Sequence, residues 1–423
     1  MVHPQTIVEK IFSAKAKERV YAGAIITADV DACMSNDASM PLTIDYLRRM
    51  GIESIAYPER TTLVIDHYVP CPDANVAVLQ QSMFDFAVSH GLRLIPGGEG
   101  SGHQVFAELG LIHPGALIVG GDSHTTSYGF LNCLGIGMGA SDMAMAISTG
   151  ELWFKVPNTL RVCVTGSPQP GITGKDIALR LLKLLGPGGA NYLAVEFAGE
   201  SLLKLCCDDR WVICNMLAES SAKAAIMPFD EVTEAYCLDH GLTISYAVKP
   251  DPGCYYQRSI ELDLTDIGFQ VALPHDPHNV VNLEDVQGLT MDMALLGTCT
   301  NGRFRDFLTA FSLLQEYEGS FHCELLLVPG SRRVYDELIT AGIATEFIRR
   351  GAMILPPACG PCCGSSPGVP RDGQRVISTA NRNFIGRMGN PGAEIYLASP
   401  LVVTASALLG YLVDPLDLLS RRS

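Results

Sequence analysis

The chain of 423 residues contains no long apolar run, no short internal repeat and no low-complexity tract. Its longest apolar stretch, near Leu401 to Val413, is shorter than the ~18–20 residues that a membrane-spanning helix requires. Positive charge is scarce: 30 Lys and Arg stand against 45 Asp and Glu, a formal net charge of -15. That balance argues against nucleic acid or an anionic membrane as a partner. It also means that any anionic ligand must be met by arginines gathered locally. No secretory leader is evident, because Met1 to Val20 mixes apolar residues with Glu9, Lys10, Lys15, Lys17, Glu18 and Arg19 and reads as an amphipathic helix. Fourteen cysteines without a leader predict a reducing, cytoplasmic compartment. A hydrophobic content of 48% is enough for sizeable cores, and the length suggests about three domains.

Short apolar runs alternate with helical patterns, as in α/β layers with mostly parallel strands. The strand candidates include Leu63–Ile65, Ala116–Val119, Val162–Val164, Glu324–Val328 and Met353–Leu355. The helix candidates include Asn75–His90, Ala140–Leu152, Gly174–Leu185 and Val334–Gly351. Two segments rich in proline and polar residues, beginning at Val156 and Leu273, read as boundaries. They divide the chain into α/β blocks at 1–158, 159–283 and 284–423.

Three cysteines occupy two glycine-flanked polar loops far apart in the chain: Cys299 in 297–303, then Cys359 and Cys362 in 357–364. Each loop follows an apolar run, Met293–Leu296 and Ala352–Leu355, and so falls where open α/β sheets place their sites. Three thiolates can hold a cubane iron–sulfur cluster and leave one iron free to act as a Lewis acid. A dithiol redox pair needs no third cysteine, and a structural zinc ion usually wants a fourth ligand. The spacing alone leaves all three open. Cys363 directly follows Cys362, so its side chain diverges, and it reads as a small packing residue.

Asp66–His67 and Asp122–Ser123–His124 each follow a candidate strand directly. A carboxylate beside an imidazole holds its tautomer and raises its pKa, which suits a general acid. A single such pair is more often a helix cap beside a backbone-satisfied histidine; two pairs after two strands favour chemistry. His103 lies in a glycine-rich loop that allows close approach to a ligand. Asn215 and Glu219 are four residues apart and would share a helix face, solvated in the ordinary case. Arg382 and Arg387 lie in Asn381–Arg387, where guanidinium forks could match carboxylates or form surface ion pairs.

Taken in order, the segments 65–67, 120–125, 213–219, 297–303, 359–362 and 381–387 resemble those of the aconitase family. Within it the resemblance is strongest to the large subunits of 3-isopropylmalate dehydratase and homoaconitase. It runs almost end to end and implies three α/β/α domains with mostly parallel sheets around a central cluster. The implied cofactor is a 4Fe–4S cluster held by Cys299, Cys359 and Cys362, with one iron not ligated by cysteine. The implied catalytic pairs are Asp66 with His67, Asp122 with His103, and Glu219 with His124. Asn36, Ser123, Arg382 and Arg387 would bind substrate, and Asn215, Asn301 and Asn381 would lie near the cluster. The implied activity is that of a hydro-lyase on a hydroxy-diacid, with isopropylmalate preferred. Homoaconitate, dimethylmalate, maleate or citraconate, or a catalytically silent cluster-binding role, remain open.

Asn36, Ser220–Ser221 and the Glu99 loop depart from the family pattern, and Asn36 and the Glu99 loop would lie near the site. Single-chain aconitases continue into a swivelling fourth domain that carries a serine base. Here the tail is apolar from Leu401 to Leu419 and ends in Ser420-Arg-Arg-Ser. The resemblance therefore implies a separate small subunit that carries that domain.

Overall fold

A computed structural model describes residues 3–244 and 246–419. Met1 and Val2 of the expected N-terminal helix, and the terminal Ser420-Arg-Arg-Ser, lie outside the described residues. The helix itself runs Ile7–Ala16, with Thr6 and Glu9 closing its first turn reciprocally.

The fold is α/β with mostly parallel sheets, as expected. The first sheet has five parallel strands in the order Arg93–Ile95, Thr61–Val64, Ala32–Asn36, Leu117–Gly120, Leu134–Gly137. Its central strands are buried along their whole length, which is why they read as continuous apolar runs. The second sheet has four parallel strands: Ala224–Ile226, Ala194–Ala198, Thr159–Thr165 and Arg258–Asp263. The third has seven, with Met293–Gly297 flanked by Arg375–Ser378 and Glu324–Val328. Gln270–Ala272 and Val280–Asn282 extend this third sheet in antiparallel fashion beyond Glu394–Leu397. The boundary expected between 283 and 284 therefore falls inside the region that feeds the third sheet.

Two helix expectations are corrected. The helix from Ala140 ends at Thr149, where Gly150 adopts a left-handed cap (φ 76°). Glu151–Lys155 then forms a strand that pairs antiparallel with Ile25–Asp29 and buries Leu152 and Phe154. The segment 334–351 is two helices, Arg332–Thr340 and Ile343–Arg349, broken at Gly342 in the left-handed region. By contrast, Gly174–Leu185 is one helix with the expected bounds.

Close backbone packing leaves no room for a side chain at two glycines, Gly129, where the 3-10 segment Ser123–Leu131 meets the second sheet, and Gly297, at the end of a strand of the third. A Cβ on Gly129 would lie 1.6 Å from the carbonyl oxygen of Ala225. One on Gly297, whose φ is 126°, would lie 2.0 Å from that of Val328. Thr298 follows with φ 68°, a strained setting for a β-branched residue, at the start of the Cys299 loop. Among the described residues no helix is long and apolar enough to cross a membrane.

Candidate active site

The carboxyl ends of the first and third sheets converge on a cavity of about 260 Å³. Asp66, His67, His103, Asp122, Ser123 and His124 line one side, and Cys299, Cys359, Cys362, Asn381, Arg382 and Arg387 the other.

On the first side the strand Thr61–Val64 delivers Asp66 and His67. Asp66 Oδ2 accepts the Gly102 N–H at 2.5 Å, and Oδ1 lies 2.6 Å from His67 Nδ1. Asp122 follows the strand Leu117–Gly120 and accepts the His124 N–H at 2.8 Å. Its Oδ1 is 3.1 Å from His103 Nε2 and 3.3 Å from His124 Nδ1, and its Oδ2 is 3.6 Å from His67 Nε2. The His103 contact is an ion pair with Asp122 rather than an aligned hydrogen bond. His103 Nδ1 meets the Tyr128 hydroxyl at 3.2 Å. His124 Nε2 is 2.9 Å from Glu219 Oε1. All three carboxylate–imidazole pairs implied by the resemblance are thus adjacent in space, and Asp122 touches three imidazoles rather than one.

This arrangement favours charge. Burial opposes an imidazolium at His67, but the Asp66 carboxylate, and then Asp122, hold its pKa well above the ordinary value. At His124, burial and Arg382 oppose charge, yet bonds from Asp122 and Glu219 raise it to about 9. Burial would raise Asp122, but His103 and His124 keep it well below the usual carboxylate range.

On the second side, Cys299 is the second residue of a short helical turn, Thr298–Asn301, at the tip of strand Met293–Gly297. Cys359 and Cys362 flank the start of the 3-10 turn Gly360–Cys363. All three thiols are buried. The Cys359 thiol contacts both of the others. This contact, against the opposing effect of burial, brings Cys299 down to about 6 and Cys362 well below the thiol range. The amides of Asn381 and Asn215 point at Cys299 Sγ from 3.4 and 3.8 Å, and Arg387 Nη2 lies 3.6 Å from Cys362 Sγ. Three soft donors surrounded by N–H groups fit an iron–sulfur cluster. His67, Cys359 and Cys363 also lie close enough to share a single ion. His67 suits that role poorly, since its Nδ1 faces Asp66 and its raised pKa keeps it protonated.

Arg382 Nε is 2.8 Å from both oxygens of Glu219, and its Nη2 donates to Ser123 Oγ at 2.7 Å. Arg387 Nε is buried without a partner. Asn215 and Glu219 are both buried at the end of helix Cys207–Met216 and the 3-10 turn after it, not on a solvated face.

Several expectations change. Asn36 does not line the cavity: it is buried, its Nδ2 donates to Asp122 Oδ2 at 3.2 Å, and its Oδ1 accepts from Ala38 and Ser39. Asn301 turns its Nδ2 to Asp306 Oδ1 at 2.8 Å, away from the cavity. Glu99 lies at the surface near Arg332. Cys363 packs against Cys359, Cys362 and Ala380, but it is not only a packing residue. Like Cys362 it lines the cavity, with its Sγ 2.6 Å from Ser365 Oγ.

Sequence reasoning missed four supporting residues. Asp37 accepts the N–H groups of Asp66, His67 and Tyr68 and so shapes that loop. Its place just after strand Ala32–Asn36 is a strand-tip signal like the others. Tyr128 backs His103, and the fully buried Trp211 donates to the Cys299 carbonyl at 2.9 Å. Lys175 is fully buried and bonds the carbonyls of Thr379 and Ala380 at 2.9 and 2.5 Å. Neither periodicity nor motif marks these last three.

The sequence matches the Aconitase family (aconitate hydratase) over residues 9–291 and 284–410. It is 41% identical over 414 residues to 3-isopropylmalate dehydratase large subunit 1 of Thermotoga maritima, covering 97% of this chain and 99% of that one. It is 39% identical to large subunit 1 of the same name from Methanopyrus kandleri (97% and 99% covered). To large subunit 2 from Archaeoglobus fulgidus it is 40% identical (98% and 100% covered). Among solved structures, Thermococcus kodakaraensis aconitase X in its holo form aligns with a TM-score of 0.51 at 15% identity, covering 89% of both chains, a likeness of fold.

Proposed function

The chain belongs to the aconitase family, and from that premise we propose that it is the large subunit of an iron–sulfur hydro-lyase. Its reaction is the interconversion of 2-isopropylmalate and 3-isopropylmalate by dehydration and rehydration, in leucine biosynthesis. The observation that carries this reading is the convergence of three thiols, three carboxylate–imidazole pairs and two arginines on one cavity. The relatives named as 3-isopropylmalate dehydratase large subunits support the choice of substrate.

A 4Fe–4S cluster held by Cys299, Cys359 and Cys362 would supply Lewis acidity toward a substrate hydroxyl through its iron without a cysteine ligand. The protein's own groups do the rest. Arg387, with a free Nε, and Arg382, oriented by Glu219 and Ser123, grip the two carboxylates of a diacid. His67 faces the cavity as an imidazolium and donates a proton to the departing oxygen; Asp66 holds it in place. Asp122 keeps the neighbouring imidazoles in fixed orientation. Glu219 and His124 hold a second proton between them.

Each cavity carboxylate is already tied to an imidazole or a guanidinium, which leaves none free to take a carbon-bound proton. We assign that step, and the closing of the cavity against water, to a separate small subunit. The relatives' designation as large subunits supports this partner. The test is turnover of isopropylmalate and a panel of other hydroxy-diacids by the iron- and sulfide-reconstituted chain, with and without the small subunit. The complex should turn over isopropylmalate best and the lone chain should be nearly inactive. Full turnover by the lone chain would sink the two-subunit reading. Preference for another diacid would replace the substrate.

A further inference from the structure

Lys175 is placed where a lysine is unfavourable twice over. It is the second residue of helix Gly174–Leu185, so its charge opposes the helix dipole. It is also fully buried, and a buried ammonium is costly unless it is compensated. Among the described residues no carboxylate oxygen lies within 4.0 Å of its Nζ to compensate it. Its neighbour Asp176 turns away to Thr173 and the Gln270 N–H. The partners of Nζ are all neutral: the carbonyls of Thr379 and Ala380, and Met216 Sδ at 3.5 Å.

Those carbonyls lie beneath the site. Ala380 packs directly against Cys359 and Cys362. Thr379 Oγ1 accepts the Gly297 N–H at 2.9 Å and donates to the Gly297 carbonyl at 3.1 Å, which ties this turn to the strand end before Cys299. Asn381 and Arg382 follow at once, the first against Cys299 and the second against Glu219. Lys175 thus sits where both cysteine-bearing segments and the arginine loop meet. Two carbonyls would be satisfied by a neutral amide. An ammonium in their place calls for negative charge nearby, and the cysteines above are the groups that carry it when they bind metal.

We propose that Lys175 is a positioning residue of the active site. Its ammonium pins the 379–381 turn beneath the three cysteines and supplies the buried positive charge that balances anionic sulfur there. The inference rests on the cluster reading of the cavity. Burial draws the ammonium down to about 7, against an opposing pull that comes first from Cys362 and Cys299 and then from Asp176 and Glu219.

The test compares the wild type with Lys175→Gln, which keeps a donor but no charge, and Lys175→Met, which keeps neither. The first readout is amide hydrogen exchange at 379–382 in the cluster-free chain. Lys175→Met should speed it roughly tenfold or more, and Lys175→Gln much less. The second is the reduction potential of the anaerobically reconstituted cluster, which both variants should make more negative. Loss of the cluster by a folded Lys175→Gln, where the wild type keeps it, also supports the charge role. An unchanged potential in Lys175→Gln overturns charge balance, and unchanged exchange in Lys175→Met overturns positioning. Should Lys175→Met not fold, Lys175→Gln decides through its potential. If the wild type itself takes up no cluster, the cofactor reading fails instead, and exchange alone decides whether Lys175 positions the turn.

Discussion

The two sides of the cavity are built differently. On the side fed by the first sheet, each charged group has partners within the chain: Asp66 with His67 and the Gly102 N–H, and Asp122 with Asn36 and three imidazoles. On the side fed by the third sheet the groups are left partly open. Three thiols meet one another and a few N–H groups, and Arg387 Nε has no partner at all. A network satisfied from within holds its protons in fixed places. A set of donors left incomplete is suited to a ligand that completes it. The first side is therefore organised to manage protons and the second to receive the cofactor and the substrate's charges.

The largest effect should separate the thiols. Alanine at Cys299, Cys359 or Cys362 should abolish cluster uptake, read as iron per chain after anaerobic reconstitution. Cys363→Ala should keep the cluster although its thiol lines the cavity. Loss at Cys363 with retention at Cys299 would mean that the open side is organised around a different set.

The next pair sets one side against the other. Asp122→Asn keeps the shape but removes the charge that three imidazoles share, so kcat should fall by a factor on the order of 10²–10⁴. Iron content should not change. Arg387→Lys keeps the charge but loses the planar fork, which should cost on the order of 2–3 kcal/mol in kcat/KM for every diacid tested. If Asp122→Asn lost iron as readily as activity, the two sides would not be separable.

The smallest effect lies outside both. Glu196 is as deeply buried as the site residues, but its partners are neutral: the Val8 N–H at 3.0 Å and the Tyr256 hydroxyl at 3.2 Å. Burial pushes it up to about 7 from an ordinary 4.5. The folded state then binds the proton more tightly than the unfolded chain. Stability from this group is full below about 4.5, falls as pH rises to about 7, and is level above that. Glu196→Gln should match the wild type at pH 4.5 and exceed it at pH 8 by on the order of 1–3 kcal/mol in urea unfolding. A parallel pH dependence in the two proteins would show that Glu196 stays ionised, as Asp122 does.

Much of this is legible in the sequence because the informative residues sit at strand ends. Leu63–Ile65 and Ala116–Val119 are apolar enough to be recognised as strands, so local pattern alone puts Asp66, His67 and Asp122 at their tips. The cysteine loops are legible for the same reason. Whether Asn36 and Asn301 line the cavity is not legible in the sequence, because an amide beside a site can face inward or outward with the same local sequence. Here Asp122 and Asp306 capture them. The helices from Ala140 and Val334 are overextended because Gly150 and Gly342 act through a left-handed backbone, and a glycine alone does not announce that conformation.

The sequence by itself determined the α/β class, the family, the cysteines and the residue types of each acid–base pair, since these follow from local pattern and order along the chain. Only the tertiary structure decided that Asp122 serves three imidazoles, that Cys363 faces the cavity, and that Lys175 lies beneath the cysteines. The reason is physical. Local periodicity fixes which face of a strand or helix is buried, but the protonation and partners of a buried charge depend on groups brought in from distant segments.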